Sequence, residues 1–145
     1  MSEKIEYPTI KSRTLTLSHG IPISKTKTFW EGLKEGKVYA TKCRKCGEVY
    51  YPPQADCPKC LTSQMEWTQL SEGNLETFTT VYLKPQGFDH YKQDFTIAIV
   101  KTSEGAKVMG LLENMNLEKI EIGARLKITS KIMSDGFPAI IFTQA

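Results

Sequence analysis

Four cysteines spaced as two Cys-x-x-Cys pairs, Cys43 with Cys46 and Cys57 with Cys60, constrain this chain more than any other feature. Two residues between ligands let a tight turn aim both sulfurs at one ion, and ten residues separate the pairs. Gly47 after the first pair suits the left-handed backbone such a turn requires, and Pro58 restricts the second turn. A tetrahedral array of sulfurs suits Zn2+, and iron takes the same four ligands. Two disulfides or a redox dithiol are the competing readings, and the paired spacing favours a metal. A site closed by four thiolates has no position left for water or substrate, so its expected role is structural.

The flanks of the pairs fit a zinc ribbon. Val38 and Ala40 alternate with polar neighbours ahead of Cys43, and Met65 to Leu70 alternates again after Cys60. Strand, knuckle, strand, knuckle, strand is the expected order. Upstream, Phe29, Trp30 and Leu33 share one helical face, Ser24 is a candidate N-cap and Gly36 a stop, which predicts a helix of about 11 residues. A helix this short is marginal alone and must dock. Phe29, Trp30, Tyr39, Tyr50, Tyr51 and Trp67 give this half an aromatic excess, expected to pack helix on ribbon and to leave one or two rings for a pocket or partner face. Residues 1 to about 20 show no clear periodicity and are expected to form a loosely held arm.

Beyond Gly73 the pattern is that of short strands: Leu75 to Leu83, Phe95 to Thr102, Lys107 to Glu113, Arg125 to Met133 and Ala139 to Thr143. Ser103-Glu104-Gly105-Ala106 and Ser134-Asp135-Gly136 read as turns, and Leu126, Ile128, Ser130 and Ile132 share one face of the fourth strand. Asn114 to Ile122 interrupts the strands between the third and fourth, with Asn116 a candidate cap for a single turn. Five strands with an insertion at that place predict an OB-fold barrel, with a plain five-stranded sandwich as the alternative. The expected fold is therefore mainly β, divided into an arm and helix over 1–36, a zinc ribbon over 37–70 and a barrel domain over 71–145.

Charge and composition exclude several classes. At 40% hydrophobic and 24% charged residues the chain is ordinary for a globular protein. The longest apolar runs, such as Ile97 to Val100, fall far short of the roughly 20 residues a membrane helix needs. Acidic residues and the absence of an apolar stretch near Met1 predict no secretory signal, hence a cytoplasmic location. Residues 1 to 70 carry 11 Lys and Arg against 7 Asp and Glu, whereas residues 71 to 145 carry 8 against 9. Nucleic-acid binding, which both zinc ribbons and OB-folds can serve, is the alternative function; a slightly acidic barrel half argues against it. Arg44, Lys45, Lys59 and Lys42 at the knuckles either bind phosphate or balance the thiolate charge.

The loop from Tyr82 to Tyr91 is dense in functional groups, but His90 beside Asp89 reads as a solvated turn, and His19 has no evident partner. The chain has no Gly-x-Ser-x-Gly elbow, P-loop or dinucleotide fingerprint, and with all four thiols assigned to metal no cysteine nucleophile remains. The chain is not expected to be an enzyme.

Taken in order, Phe29-Trp30-Glu31-Gly32-Leu33, Cys43-x-x-Cys46-Gly47, Pro52-Pro53, Cys57-Pro58-x-Cys60, Trp67, Gly73 and Thr79-Thr80-Val81 resemble a known family. It is that of the acyl-CoA-associated proteins with a rubredoxin-like zinc ribbon and a C-terminal OB-fold, formerly a domain-of-unknown-function family. The likeness covers roughly residues 24 to 143. Two departures are Glu72, where such proteins usually place a glycine before Gly73, and Leu61, where they usually place one after the last cysteine. The resemblance implies a non-catalytic scaffold or CoA-binding role beside thiolase and 3-hydroxy-3-methylglutaryl-CoA synthase, keeping an acyl-CoA intermediate from escaping. It also implies that Arg44, Lys45 and Lys84 contact the phosphates of CoA, and that Phe29 and Trp30 meet the partner or the pantetheine arm.

Overall fold

The computed structural model describes residues 7–91 and 94–145. One helix, α1 (Lys27–Lys34), precedes β1 (Val38–Cys43), β2 (Val49–Tyr50) and β3 (Met65–Leu70). Five further strands follow: β4 (Glu72–Val81), β5 (Phe95–Thr102), β6 (Lys107–Leu112), β7 (Arg125–Ile132) and β8 (Pro138–Gln144). The first three strands form a sheet in the order β2-β1-β3, and the last five close a barrel in the order β4-β5-β6-β8-β7. Closure removes the sheet edges and excludes the sandwich.

Alternation explains the barrel. Along β5, Thr96, Ala98, Val100 and Thr102 are buried while Phe95, Ile97 and Ile99 face outward, half-buried. Phe142, Leu126, Leu75, Val100 and Val108 fill the centre, and Val38, Ala40 and Leu70 of the ribbon, with Leu33 of α1, belong to the same buried cluster. The barrel-proximal end of the ribbon is thus held by hydrophobic burial. On β7, Leu126, Ile128 and Ser130 point inward as expected, but Ile132, 47% exposed, does not. It is the last residue of its strand, beyond the packed centre.

β4 begins at Glu72, earlier than the pattern predicted, because Glu72, Gly73 and Asn74 pair with Lys127, Leu126 and Arg125 of β7. Gly73 punctuates nothing; it permits a close approach, since a Cβ there would stand 2.5 Å from the Lys101 carbonyl oxygen. The turn between β5 and β6 and that before β8 lie at Gly105 and Gly136, as expected. In the insertion, Asn116 caps a 3-10 turn (Leu117–Lys119) by accepting a hydrogen bond from the Glu118 amide at 3.0 Å.

The helix is shorter than predicted and Ser24 does not cap it. The Thr26 amide donates to the Ile23 carbonyl, closing a turn that delays the helix start to Lys27. Its other end is anchored on the barrel. Ser130 Oγ donates to the Leu33 carbonyl at 2.7 Å, satisfying a helix-terminal acceptor that has no intrahelical partner, and Thr129 Oγ1 donates to the carbonyl of Gly36, just past the C-cap, at 2.9 Å. Gly32 lies flat against Tyr39, where a Cβ would meet the ring at 2.5 Å. Of the expected arm, residues 7–22 carry no regular element and expose Tyr7, Ile10, Leu15 and Leu17; residues 1–6 lie outside the described residues.

Candidate metal centre and apolar cleft

Each Cys-x-x-Cys segment folds into a knuckle because its first carbonyl accepts from the amide four residues on. Gly47 donates to Cys43 at 2.8 Å and Leu61 donates to Cys57 at 2.9 Å. Both donors are left-handed, Gly47 at φ 75° and Leu61 at φ 50°. Leu61 therefore adopts the backbone that a glycine would take without strain. The Arg44 amide donates to the Gln64 carbonyl at 2.9 Å, tying the first knuckle to the strand after the second.

All four Sγ atoms lie within 4.8 Å of one another, and those of Cys46 and Cys57 are 3.7 Å apart. Metal–sulfur bonds of about 2.3 Å in a tetrahedron set sulfurs about 3.8 Å apart, so the donor set fits a four-coordinate ion. Cys43 and Cys57 are buried, Cys60 is half-buried and Cys46 is exposed. The Tyr50 hydroxyl, 3.3 Å from Cys57 Sγ, is the main reason that thiol is pulled down to about 6. Cys60, hydrogen-bonded to Cys46 and desolvated, is pushed up to about 12. Thiols so arranged need a cation to ionise together.

Two of the knuckle cations are paired with carboxylates: Arg44 lies 3.5 Å from Glu66 and Lys59 2.8 Å from Glu48. Lys45 is exposed on the first knuckle. Lys84 sits in the β4–β5 connection, donating to the Tyr91 carbonyl at 3.4 Å with Asp89 at 3.9 Å, and is thereby part of what shapes that loop.

Phe29 and Trp30 line a cleft of about 540 Å³ between α1 and the barrel. Leu33 completes their wall; Phe95 and Ile97 of β5 and Met109 and Leu111 of β6 form the floor; Phe88, Tyr91 and Phe137 stand at the loops. Among the described residues the lining contains no Asp, Glu, Lys, Arg, His or Cys, so the walls of the cleft are apolar and hold no strong acid or base. A ring stack supports the loop side, with Phe88 on Tyr91 at 5.8 Å and Tyr91 on Phe95 at 4.7 Å. His90 pairs with Asp135 at 3.2 Å and not with the adjacent Asp89, joining the two loops beside the cleft.

The structure thus brings together the four cysteines, and separately Phe29 with Trp30, with Lys84 in the loop that supplies Phe88 and Tyr91. Arg44 and Lys45 do not line the cleft. Sequence reasoning missed Phe88, Tyr91, Phe95, Met109 and Phe137. One signal was present: Phe95 to Val100 is apolar or small on both faces of the strand apart from Thr96, whereas an outer barrel strand facing water should alternate with polar residues.

Residues 30–66 match the family model described as ChsH2, rubredoxin-like zinc ribbon domain, and residues 67–131 match ChsH2, C-terminal OB-fold domain. A DUF35 domain-containing scaffold protein of Methanocaldococcus jannaschii is 30% identical over 116 residues, spanning 77% of this chain and 82% of that protein. The chain belongs to the DUF35 family. A further relative in sequence, the probable enoyl-CoA hydratase alpha subunit of Thermomonospora curvata, is 24% identical over 103 residues, covering 70% of this chain but 32% of that longer protein. Among solved structures, the Ltp2-ChsH2(DUF35) aldolase superposes with a TM-score of 0.70 over 81% of this chain and 91% of that one, at 19% identity, and shares the DUF35 fold. Among the described residues no helix is long and apolar enough to cross a membrane.

Proposed function

We propose that this chain is a non-catalytic accessory protein of acyl-CoA metabolism that associates with thiolase and 3-hydroxy-3-methylglutaryl-CoA synthase in the cytoplasm and assists transfer of the acyl-CoA intermediate between them. The observation that carries the reading is the apolar cleft at Phe29 and Trp30, which has the volume of a ligand site and, among the described residues, no carboxylate, amine, imidazole or thiol in its lining to do acid–base work. Apart from it, the metal centre has all four donors supplied by protein, which supports a structural Zn2+ held by Cys43, Cys46, Cys57 and Cys60. The scaffold-protein name of one relative supports the accessory role, and the probable enoyl-CoA hydratase alpha subunit supports the link to acyl-CoA.

Within this reading the arm and helix (1–36) and the barrel domain (71–145) receive the acyl and pantetheine portions, and the ribbon (37–70) sets the helix in place. Arg44, Lys45 and Lys84 supply phosphate contacts, Arg44 and Lys45 from exposed positions on the first knuckle. The nucleic-acid alternative loses support from the cleft, because a single-strand groove needs cations along its length. Purification from the native host with identification of co-eluting proteins, followed by titration with acyl-CoA and with single-stranded DNA at moderate salt, tests the proposal. Thiolase or synthase in the eluate and saturable acyl-CoA binding are expected; tight DNA binding with neither enzyme would overturn it. Metal analysis is expected to return one zinc per chain, and iron would correct the cofactor.

A further inference from the structure

The outer face of β4, β5 and β6 is built unlike a solvated barrel wall. Strand register places its outward residues in cross-strand rows: Val81 beside Phe95, Thr79 beside Ile97 and Leu111, and Thr77 beside Ile99 and Met109. Met109 is 64% exposed at the centre of this surface. One concavity over Thr77, Ile99 and Met109, about 230 Å³, adjoins the larger cleft, and the two share Ile97 and Met109. The apolar surface therefore runs from α1 across β6 and β5 to the outward threonines of β4, and contiguous exposed apolar area of this kind marks a protein interface.

We propose that this face docks a protein partner that presents aliphatic and aromatic side chains edged by carboxylates. OB-folds that bind oligonucleotides use the same strands, but here the rows hold threonine, aliphatic side chains and Phe95 with no cation among them, where a nucleic-acid groove needs cations along its length. Charge fixes the edge of the partner. Lys101 and Lys107 stand directly opposite each other where the rows end, an arrangement of like charges that costs stability, and Glu76 reaches only Lys107, at 2.8 Å. Apart from Glu76, this face carries no carboxylate in its outward rows. A second copy of the chain would offer the same aliphatic rows and the same cations, so the complement is a different protein. The class of that protein, an enzyme of acyl-CoA chemistry, rests on the function proposed above; the face does not.

A photo-crosslinking phenylalanine analogue placed at position 109, and as a control at position 45 on the first knuckle, reads the contact in native-host cells, with adducts identified by mass spectrometry. The expected result is an acyl-CoA enzyme captured from position 109 in about tenfold preference to position 45, and lost from co-purification by Met109→Glu, as for an interface centre. Because Met109 is exposed, that variant should keep the wild-type melting temperature and metal content. Adducts of position 109 with a second copy, no adduct there, or capture of the enzyme from position 45 alone would overturn the docking face while leaving the accessory function intact. Capture at 109 of a protein outside acyl-CoA chemistry, also lost with Met109→Glu, would retain the face and overturn the function.

Discussion

The ribbon and the barrel reach their folds by different means. Between residues 43 and 66 only Cys43 and Cys57 are buried, so this stretch has sulfurs where a core would be. The barrel needs no ion: Phe142, Leu126, Leu75, Val100 and Val108 are almost wholly out of water. Between them, Val38, Ala40 and Leu70 belong to the ribbon by sequence and to the barrel core by packing. A metal can therefore organise one end of the molecule and hydrophobic burial the other, with the seam at the start of β1 and the end of β3.

The comparison breaks most visibly if the metal is removed. Binding free energies of about 10–16 kcal/mol for structural zinc in small fingers make the ion the dominant contribution to the distal ribbon. Chelation, or Cys57→Ser, is expected to abolish amide protection over 43–66 while β5 to β8 keep theirs, as read by hydrogen exchange. Phe142→Ala works from the other side: a cavity at the barrel centre should cost about 3–5 kcal/mol, measured by denaturant unfolding, with metal content unchanged.

Ser130→Ala probes the seam. It removes the buried hydroxyl that donates to the Leu33 carbonyl and leaves that acceptor unpaired, for an expected loss of about 1–3 kcal/mol and faster exchange at the end of α1. The smallest effect has the opposite sign. Leu61 is left-handed and 89% exposed, so Leu61→Gly gives up little packing and relieves strain, and should stabilise the metal-loaded protein by about 1 kcal/mol in thermal melts.

The cysteine knuckles and the five barrel strands were legible because their signals are local: ligand spacing in one case, period-two alternation with glycine turns in the other. The helix start was not, since a backbone turn at Ile23–Thr26 displaced Ser24 from the cap. Gly73 read as a boundary but serves a close strand contact, which depends on Lys101 across the ladder. Half of the cleft was visible in Phe29 and Trp30. The other half comes from Phe88, Tyr91, Met109 and Phe137, which only barrel closure brings to the helix. His90 likewise finds Asp135, 45 residues away, by tertiary folding.

Recognition on the helix and barrel side, with the metal end structural, is tested most directly by titrating acyl-CoA into the wild-type protein and into Trp30→Ala and Lys45→Ala, each confirmed to hold its metal. The account predicts that Trp30→Ala weakens binding by at least about tenfold, or 1.4 kcal/mol. Lys45→Ala, an exposed charge screened by solvent, should weaken it by no more than about threefold. The reverse order, or binding indifferent to Trp30, would contradict it.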